Sequence, residues 1–352
     1  MPKDAYLNDI SLAVPDHDIH RKFIDFAPSL LADDRSRVLF RRMAERCQIE
    51  HRYSALHANV DPARLDADNF YLPHSFPDTE TRMKYYQMHA FPLARRALDG
   101  LSLHERKGDI THLILTTCTG FYAPGIDIEV VEHYGLRPSV ERTIVGFMGC
   151  YAGMNALKLA RHIVRSEEGA CVLILNLELC TLHLKNTDNL EQMLSFLLFA
   201  DGCSASIVSA EPKGIELQRF HSAVMPDSGD QITWSIGGSG FDMNLSGRVP
   251  GTIAAGLPTC LPDILAGKDV ADFTHWAIHP GGRTILDAVR EGASLEEELL
   301  QSSRRVLRDF GNMSSSTIMF VLKDIMDRGK GRGCGMAFGP GLTVESLLFQ
   351  AA

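Results

Sequence analysis

Short apolar runs alternate along the chain with stretches in which apolar residues recur every three or four positions. The runs predict β-strands at 111–117, 170–178, 203–209, 275–279 and 343–349. The periodic stretches predict helices at 36–46, 151–164 and 295–310. Strands that alternate with helices in this way are typical of a layered α/β protein.

Two parts of the chain resemble each other weakly. Asp109 begins an Asp-Ile-Thr-His segment that opens one predicted strand, and Asp272 begins Asp-Phe-Thr-His at another. At almost the same distance beyond each segment stands a polar residue preceded by glycine, Cys150 in one case and Asn312 in the other. This echo predicts a duplicated fold of two halves, residues 1–220 and 221–352, with a site between them.

Composition narrows the functional classes. The 352 residues are 45% hydrophobic and 22% charged, and the formal net charge is -9, which argues against broad binding to nucleic acid or to an anionic membrane. No CxxC pair occurs among the eight cysteines, which argues against a zinc site. The amino terminus has no signal-peptide pattern and no apolar run is long enough for a membrane helix, so we expect a cytoplasmic protein.

Cys150 is the first candidate for chemistry. A strand predicted at 143–145 gives way to a helix beside it, and Gly149 permits a sharp turn between the two. Unpaired backbone N–H groups at the start of a helix favour a thiolate, which is the form that attacks a thioester. The alternative is a cysteine that is merely buried at a helix start.

His279 and Asn312 could complete such a site. His279 ends a predicted strand and is followed by Pro280 and two glycines, and Asn312 precedes a helical stretch. Each also has a structural interpretation, the first as a histidine satisfied by backbone groups and the second as a helix N-cap. Together with Cys150 they are the parts needed for thioester chemistry without a metal, because imidazole and amide N–H groups can hold a developing enolate or oxyanion.

The surrounding segments resemble those of a known family. They are GCYAGMNALKLA (149–160), HPGGRTILD (279–287), GNMSSS (311–316) and AFGPGLTVE (337–345), with further matches in YGLRPSVER (134–142) and LLFADG (197–202). These segments resemble the signatures of chalcone synthase-like type III polyketide synthases, and they occur in the family's order from about residue 35 to 350.

The resemblance implies a thiolase-type αβαβα fold, a homodimer, malonyl-CoA and acyl-CoA substrates, and neither a metal nor a permanent cofactor. It implies that Cys150 carries the growing chain, while His279 and Asn312 promote decarboxylation. Arg42 and Arg46 match basic residues that contact the phosphates of coenzyme A, and Leu39 stands where the family has a third basic residue.

The resemblance also assigns residues to the substrate cavity. Phe199 matches a gatekeeper phenylalanine between the coenzyme A tunnel and the cavity. Further matched positions are Cys118, Thr119, Cys180, His183, Trp234, Met243 and Ser314. Since Trp234 stands where the family has glycine, and His183 where it has threonine, we expect a narrowed cavity. The hypothesis is a bacterial-type relative that makes a small pyrone, resorcinol or phloroglucinol-type product or accepts an acyl chain through a side tunnel.

Three alternatives to this family can be compared with the sequence. A ketoacyl-ACP synthase of the third type shares the fold and the Cys/His/Asn set, but its histidine is followed by a Gln/Ala/Asn segment where this chain has Pro280 and two glycines. A catalytically silent scaffold is the alternative from another functional class. A cysteine hydrolase lacks support because the local CGSCW-type signature is absent.

Overall fold

A computed structural model describes residues 3–61, 63–72 and 75–352. The strands are β1 (Tyr6–Ala13), β2 (His17–Asp18), β3 (Tyr53–Ser54), β4 (His112–Thr117), β5 (Glu141–Gly146), β6 (Cys171–Leu179), β7 (Asp201–Ser209), β8 (Ile215–Val224), β9 (Ile232–Gly237), β10 (Gly240–Leu245), β11 (His275–Ile278), β12 (Gly331–Gly339) and β13 (Thr343–Ala351). The helices are α1 (His20–Phe26), α2 (Asp34–Arg46), α3 (Thr79–Asp99), α4 (Leu103–Arg106), α5 (Ile126–Tyr134), α6 (Ala152–Ser166), α7 (Leu190–Phe196), α8 (Val249–Ile264), α9 (Arg283–Gly292), α10 (Gln301–Phe310) and α11 (Thr317–Arg328).

The five predicted strands are confirmed, each to within two residues at either end. The helix predicted at 36–46 begins two residues earlier, because the side chain of Asp33 accepts a hydrogen bond from the Ser36 N–H and so caps the first turn. The single helix predicted at 295–310 is wrong in its first part. A 3₁₀ turn at Glu297–Leu300 precedes α10 and places Leu300 in the core, fully shielded from solvent.

Nine of the strands form one sheet in which two similar sets lie side by side, while β9 pairs with β10 and β2 with β3 in two small separate sheets. Outward from its centre, the first set runs β1-β7-β6-β4-β5 and the second runs β8-β13-β12-β11. The directions also match, since the first two pairings of each set are antiparallel and the third is parallel. The repeated Asp-Xaa-Thr-His segments therefore open equivalent strands, β4 and β11, and the duplication is real.

The helices lie in layers around these strands. In the middle, α6 packs on strands of both sets and on α11, while α3 covers β1, β6 and β7, and α8 and α10 cover strands of the second set. This is a thiolase-like αβαβα fold. The predicted boundary between residues 220 and 221 falls within β8, which belongs as a whole to the second set.

The two central helices approach closely where the site lies. A Cβ atom at Gly153 would stand 2.5 Å from the backbone oxygen of Ser315 and 2.9 Å from Cγ2 of Ile318, so only glycine allows this contact. Because α6 follows Cys150 and α11 follows Asn312, the contact brings the two polar residues of the sequence echo together. Among the described residues no helix is long and apolar enough to cross a membrane.

Candidate active site

Cys150 lies in a 3₁₀ turn, Gly149–Tyr151, between β5 and α6. Gly149 has φ +70 and its N–H donates a hydrogen bond to Sγ of Cys118 at 3.2 Å. A Cβ atom there would meet Cδ of Pro340 at 2.6 Å, so the turn requires glycine. The predicted strand-to-helix position of Cys150 is therefore confirmed.

The ionisation of Cys150 differs from the sequence-based expectation. Cys150 keeps some exposure to the cavity, but most of its thiol is buried, and this burial raises its pKa to about 11, although hydrogen bonding from Ser314 and Asn312 opposes the shift. Burial thus outweighs any help that the helix start gives the thiolate. In the absence of substrate the group is a neutral thiol at pH 7.

His279 directly follows β11, and its backbone N–H donates to Met336 O at 2.8 Å. The side chain is 1% exposed, and neither ring nitrogen has a hydrogen-bond partner among the residues that the structure describes. Burial lowers the pKa of His279 to about 3, so the ring is neutral. A neutral ring with unpartnered nitrogens at the wall of a cavity is free to bond to a substrate.

Asn312 is fixed by its backbone to the segment that carries Phe199. The Asn312 N–H donates to Leu198 O at 2.8 Å, and Asn312 O accepts from the Ala200 N–H at 2.9 Å. Its side-chain Oδ1 accepts from the Ser314 N–H at 2.9 Å, so the capping interpretation is partly correct. With Oδ1 occupied, the amide nitrogen remains to donate toward Sγ of Cys150, 3.9 Å away.

One cavity collects most of the predicted residues. Cys150, His279 and Asn312 line it, together with Cys118, Thr119, Cys180, Phe199, Trp234, Met243 and Ser314. Its lining is almost entirely apolar apart from these groups, with Ile232, Leu245 and Ile285 among the remaining side chains. The cavity is small: the volume within which the centre of a water molecule can lie is ≈ 60 Å³.

His183 is the predicted cavity residue that does not line this cavity. It is fully buried, with Nε2 2.7 Å from Thr119 O and Nδ1 accepting from the Phe241 N–H at 3.1 Å. Its ring stacks on Phe241 at 4.3 Å between centroids and meets the edge of Trp234 at 5.6 Å. His183 therefore narrows the cavity only through Trp234, whose Nε1 donates to Cys118 O at 2.8 Å.

A second pocket adjoins the first and shares Leu245, Val249, Gly281 and Ile285 with it. The second pocket is larger, with a volume of ≈ 270 Å³ by the same measure. Arg46 lines this outer pocket, as do Met43 and Arg283. Arg42 lies one turn earlier on α2, exposed and outside the lining, so the structure brings only one of the two predicted arginines to the pocket.

The description "Chalcone and stilbene synthases, N-terminal domain" belongs to a family model that matches residues 10–212, and the corresponding C-terminal domain model matches residues 216–352. The chain belongs to the chalcone and stilbene synthase family. It is therefore a type III polyketide synthase, an acyltransferase of a class that takes coenzyme A thioesters as substrates and carries no permanent cofactor.

Individual relatives agree with this assignment. The synthase is 34% identical over 344 residues to the alpha-pyrone synthesis polyketide synthase-like Pks18 of Mycobacterium tuberculosis, covering 93% of this chain and 86% of that protein. It is 37% identical over 265 residues to bisdemethoxycurcumin synthase of Oryza sativa subsp. japonica, covering 69% of this chain and 66% of that one.

Solved structures share the fold. PKS-I from the brown alga Ectocarpus siliculosus superposes with a TM-score of 0.89 at 27% identity, covering 100% of this chain and 99% of that chain. The C-terminal type III polyketide synthase domain of Steely1 from Dictyostelium superposes with a TM-score of 0.90 at 24% identity, covering 99% of both chains, which is a likeness of fold alone.

Glu178 is a residue of the synthase's site that sequence reasoning missed. Its buried carboxylate accepts hydrogen bonds from the Cys118 N–H at 2.9 Å, the Thr119 hydroxyl at 2.8 Å and the Ser315 hydroxyl at 2.6 Å. Burial raises the pKa of Glu178 to about 7, and its charge in turn contributes to the raised pKa of Cys150. The available signal was a single acidic residue at the end of the apolar run 170–178.

One group of three side chains in the described ranges has the spacing of metal ligands, namely His112, Glu141 and Glu167. His112 and Glu141 begin the parallel strands β4 and β5, and Cys150 follows the other end of β5. The group is therefore separate from the cavity of the synthase.

Proposed function

We propose that the synthase uses Cys150, His279 and Asn312 to condense malonyl units onto an acyl starter, and that it releases a small cyclised product of the pyrone, resorcinol or phloroglucinol type. The observation that carries this proposal is the convergence of the three side chains in one narrow cavity. The Asn312 amide lies 3.9 Å from Sγ of Cys150, and the imidazole at the wall has no hydrogen-bond partner among the described residues.

In the loading step, Sγ of Cys150 attacks the carbonyl carbon of the acyl-CoA thioester. The bond between that carbon and the coenzyme A sulfur breaks, and the acyl group stays on Cys150. Because the resting thiol is neutral, its proton must leave as the new bond forms, and the neutral ring of His279 is the available base. The proton ends on the coenzyme A thiol as it departs.

In the extension step, malonyl-CoA occupies the place that coenzyme A has left. Loss of CO₂ leaves an electron pair on the α-carbon, which is delocalised onto the thioester oxygen as an enolate. N–H donors of His279 and Asn312 hydrogen-bond that oxygen, and they are strong because the apolar lining excludes water. The enolate carbon attacks the acyl group on Cys150, whose thiolate leaves, and the lengthened chain now resides on coenzyme A.

The narrow inner cavity supports a small product. Trp234 is held on two sides, by its hydrogen bond to Cys118 O and by the rings of His183 and Phe241, so it cannot swing aside without breaking these contacts. A long polyketide intermediate would need the space that the indole occupies. The alpha-pyrone synthesis polyketide synthase-like Pks18 is similar over most of the chain and supports the same product class.

The outer pocket supports coenzyme A binding near Arg46. Its shared residues make it continuous with the inner cavity, and a guanidinium at its rim suits a phosphate group. We include Arg42 in the proposal because it is an exposed charge one turn away from Arg46. A nucleotide that extends beyond the pocket would contact it. Because coenzyme A thioesters are made and used inside cells, we also propose a cytoplasmic location.

We further propose a homodimer in which β5 is part of the interface. In the part of the chain that the structure describes, this strand is the last of the sheet and pairs only with β4, so one row of its backbone groups has no partner strand there. Within it Ile144 is 47% exposed, and beside it Phe121 and Met148 are 39% and 36% exposed. An edge strand flanked by exposed apolar side chains is suited to meeting a second copy of the chain.

The proposal is tested by incubating the purified protein with malonyl-CoA and a panel of aromatic, short and long acyl-CoA starters, with products identified by mass spectrometry. Pyrones or phenols that require CO₂ release and disappear in Cys150→Ala are expected. Turnover that stops after one condensation would instead indicate a ketoacyl synthase. If no starter gave carbon–carbon bond formation, the proposed chemistry would be wrong.

A further inference from the structure

The outward face of α2 combines exposed aliphatic side chains with unpaired positive charge. At 3.6 residues per turn, Arg35, Val38, Leu39, Arg42, Met43 and Arg46 fall within an arc of about 140°. The three aliphatic residues are 51%, 44% and 40% exposed, in chain order. On the opposite side of the helix Phe40 and Ala44 enter the core. We call the six outward residues the α2 face.

The α2 face is positively charged. The helix carries five arginines and two acidic residues, in a protein whose formal net charge is -9. Arg37 pairs with Asp34 at 2.9 Å, but the three arginines of the α2 face have no ion-pair partner among residues 3–61, 63–72 and 75–352. No acidic residue falls within the face, so it is suited to an acidic partner.

The face also adjoins the entrance to the active site. Met43 and Arg46, at the end of the helix, line the outer pocket that is continuous with the cavity of Cys150. Whatever covers the α2 face therefore lies next to the path along which thioesters reach the nucleophile.

Coenzyme A by itself does not account for the face. Its phosphates bind arginines and its adenine ring can cover one or two aliphatic side chains, but the face presents three arginines and three exposed aliphatic residues over about 16 Å of helix. Leu39 is 44% exposed and lies between Arg35 and Arg42 along the helix, so apolar and charged side chains are interleaved on the face. That mixture suits a protein partner with both acidic and apolar side chains.

We propose that the α2 face docks an acidic carrier protein, which delivers the starter acyl group from its own phosphopantetheine arm. The arm is the same chemical group that coenzyme A presents, so the tunnel that serves one serves the other. The inference rests on the proposed function, since Cys150 must accept an acyl group in the same way from both donors.

The transfer balances without a further reactant. Sγ of Cys150 bonds to the acyl carbon, the bond from that carbon to the pantetheine sulfur breaks, and the thiol proton of Cys150 ends on the released arm. A contact made by one helix face is small, which suits a carrier that must dissociate after each delivery. Three arginines at the surface would accelerate its approach at low salt.

The test compares two donors of the same octanoyl group, octanoyl-CoA and an octanoyl-loaded type II acyl carrier protein, each with malonyl-CoA as extender. In Arg35→Glu/Leu39→Gln we expect kcat/KM for the carrier donor to fall about tenfold, with little change for octanoyl-CoA. Neither residue belongs to the proposed coenzyme A site. Added salt should lower the carrier rate more than the coenzyme A rate.

A matched control is Arg41→Glu/Val224→Gln. It changes the charge by the same amount on the same helix but off the α2 face, and it replaces an aliphatic residue that is 68% exposed elsewhere. This control should leave both donors unaffected.

Several results would overturn the inference while leaving the proposed function intact. One is a kcat/KM for the octanoyl-loaded carrier no higher than that for octanoyl-pantetheine, while octanoyl-CoA remains a substrate. Another is binding to anionic phospholipid vesicles that is lost in Arg35→Glu/Leu39→Gln, which would make the face a membrane contact. A third is a drop in molecular mass of that variant by light scattering, which would make it a subunit interface. Loss of polyketide formation with octanoyl-CoA and every other acyl-CoA starter would instead refute the proposed function.

Discussion

Replacing Trp234 by glycine should enlarge the product or the range of starters. The indole lines the inner cavity and is braced by Cys118 O, His183 and Phe241, so its removal opens space that the braced neighbours do not refill. The side chain has about ten heavy atoms, and each two-carbon unit of a growing polyketide adds about three. In a closely packed site, the opening is therefore sufficient for about two or three further units.

The variant should remain folded. It loses one hydrogen bond, worth about 1 kcal/mol, and the burial of a partly exposed indole, worth about 1.5–3 kcal/mol. Glycine within β9 adds a further cost of about 0.5–1 kcal/mol. The total of about 3–5 kcal/mol does not exceed the stability of most domains, which is about 5–15 kcal/mol.

The assay is mass spectrometry of products formed from malonyl-CoA and the starter panel, with chemical denaturation to confirm folding. Ile236→Gly is the matched control, because it places glycine in the same strand but removes a side chain that is 64% exposed and outside the cavity. We expect longer products or bulkier starters for Trp234→Gly alone. A folded Trp234→Gly protein with unchanged chain length and starter range would refute the idea that the indole limits the cavity.

Three further predictions concern other parts of the site and surface. Asn312→Ala should lower kcat for malonyl-CoA decarboxylation about 100-fold with a smaller change in KM, because one enolate donor is lost; an unchanged kcat would exclude that role. Glu178→Gln should make Cys150 react faster with iodoacetamide at pH 8, because removing a negative charge that raises the thiol's pKa favours the thiolate, and an equal or slower rate would contradict this. Ile144→Asp should shift the mass measured by analytical ultracentrifugation from dimer to monomer, since it buries a charge at the proposed interface, whereas Val224→Asp should not.

The sequence was most informative where a local pattern determines local structure. Alternation and periodicity were enough for the main strands and helices, and glycine before Cys150 was enough for the turn at that residue. The repeated Asp-Xaa-Thr-His segment correctly indicated the duplication, because equivalent strands in the two halves begin with it. These features depend on a few neighbouring residues and on backbone geometry.

The features of the site that could not be predicted from the sequence depend on contacts between distant segments. His183 matches a cavity position, yet its hydrogen bonds to Thr119 and Phe241 hold it behind Trp234. Glu178 became part of the site only because three donors from two other segments meet its carboxylate. No spacing rule relates these residues, since their positions follow from how the layers pack.

The narrow apolar cavity explains both the resting state and the chemistry that we propose. The burial that raises the pKa of Cys150 also lowers that of His279, so each group is neutral until a substrate arrives. The same exclusion of water strengthens the hydrogen bonds from His279 and Asn312 to an enolate, because no solvent competes for its oxygen. A more open site would ionise Cys150 more readily but would hold the enolate less well. The arrangement therefore favours decarboxylation and condensation, and it requires loading to move the thiol proton at the moment of attack.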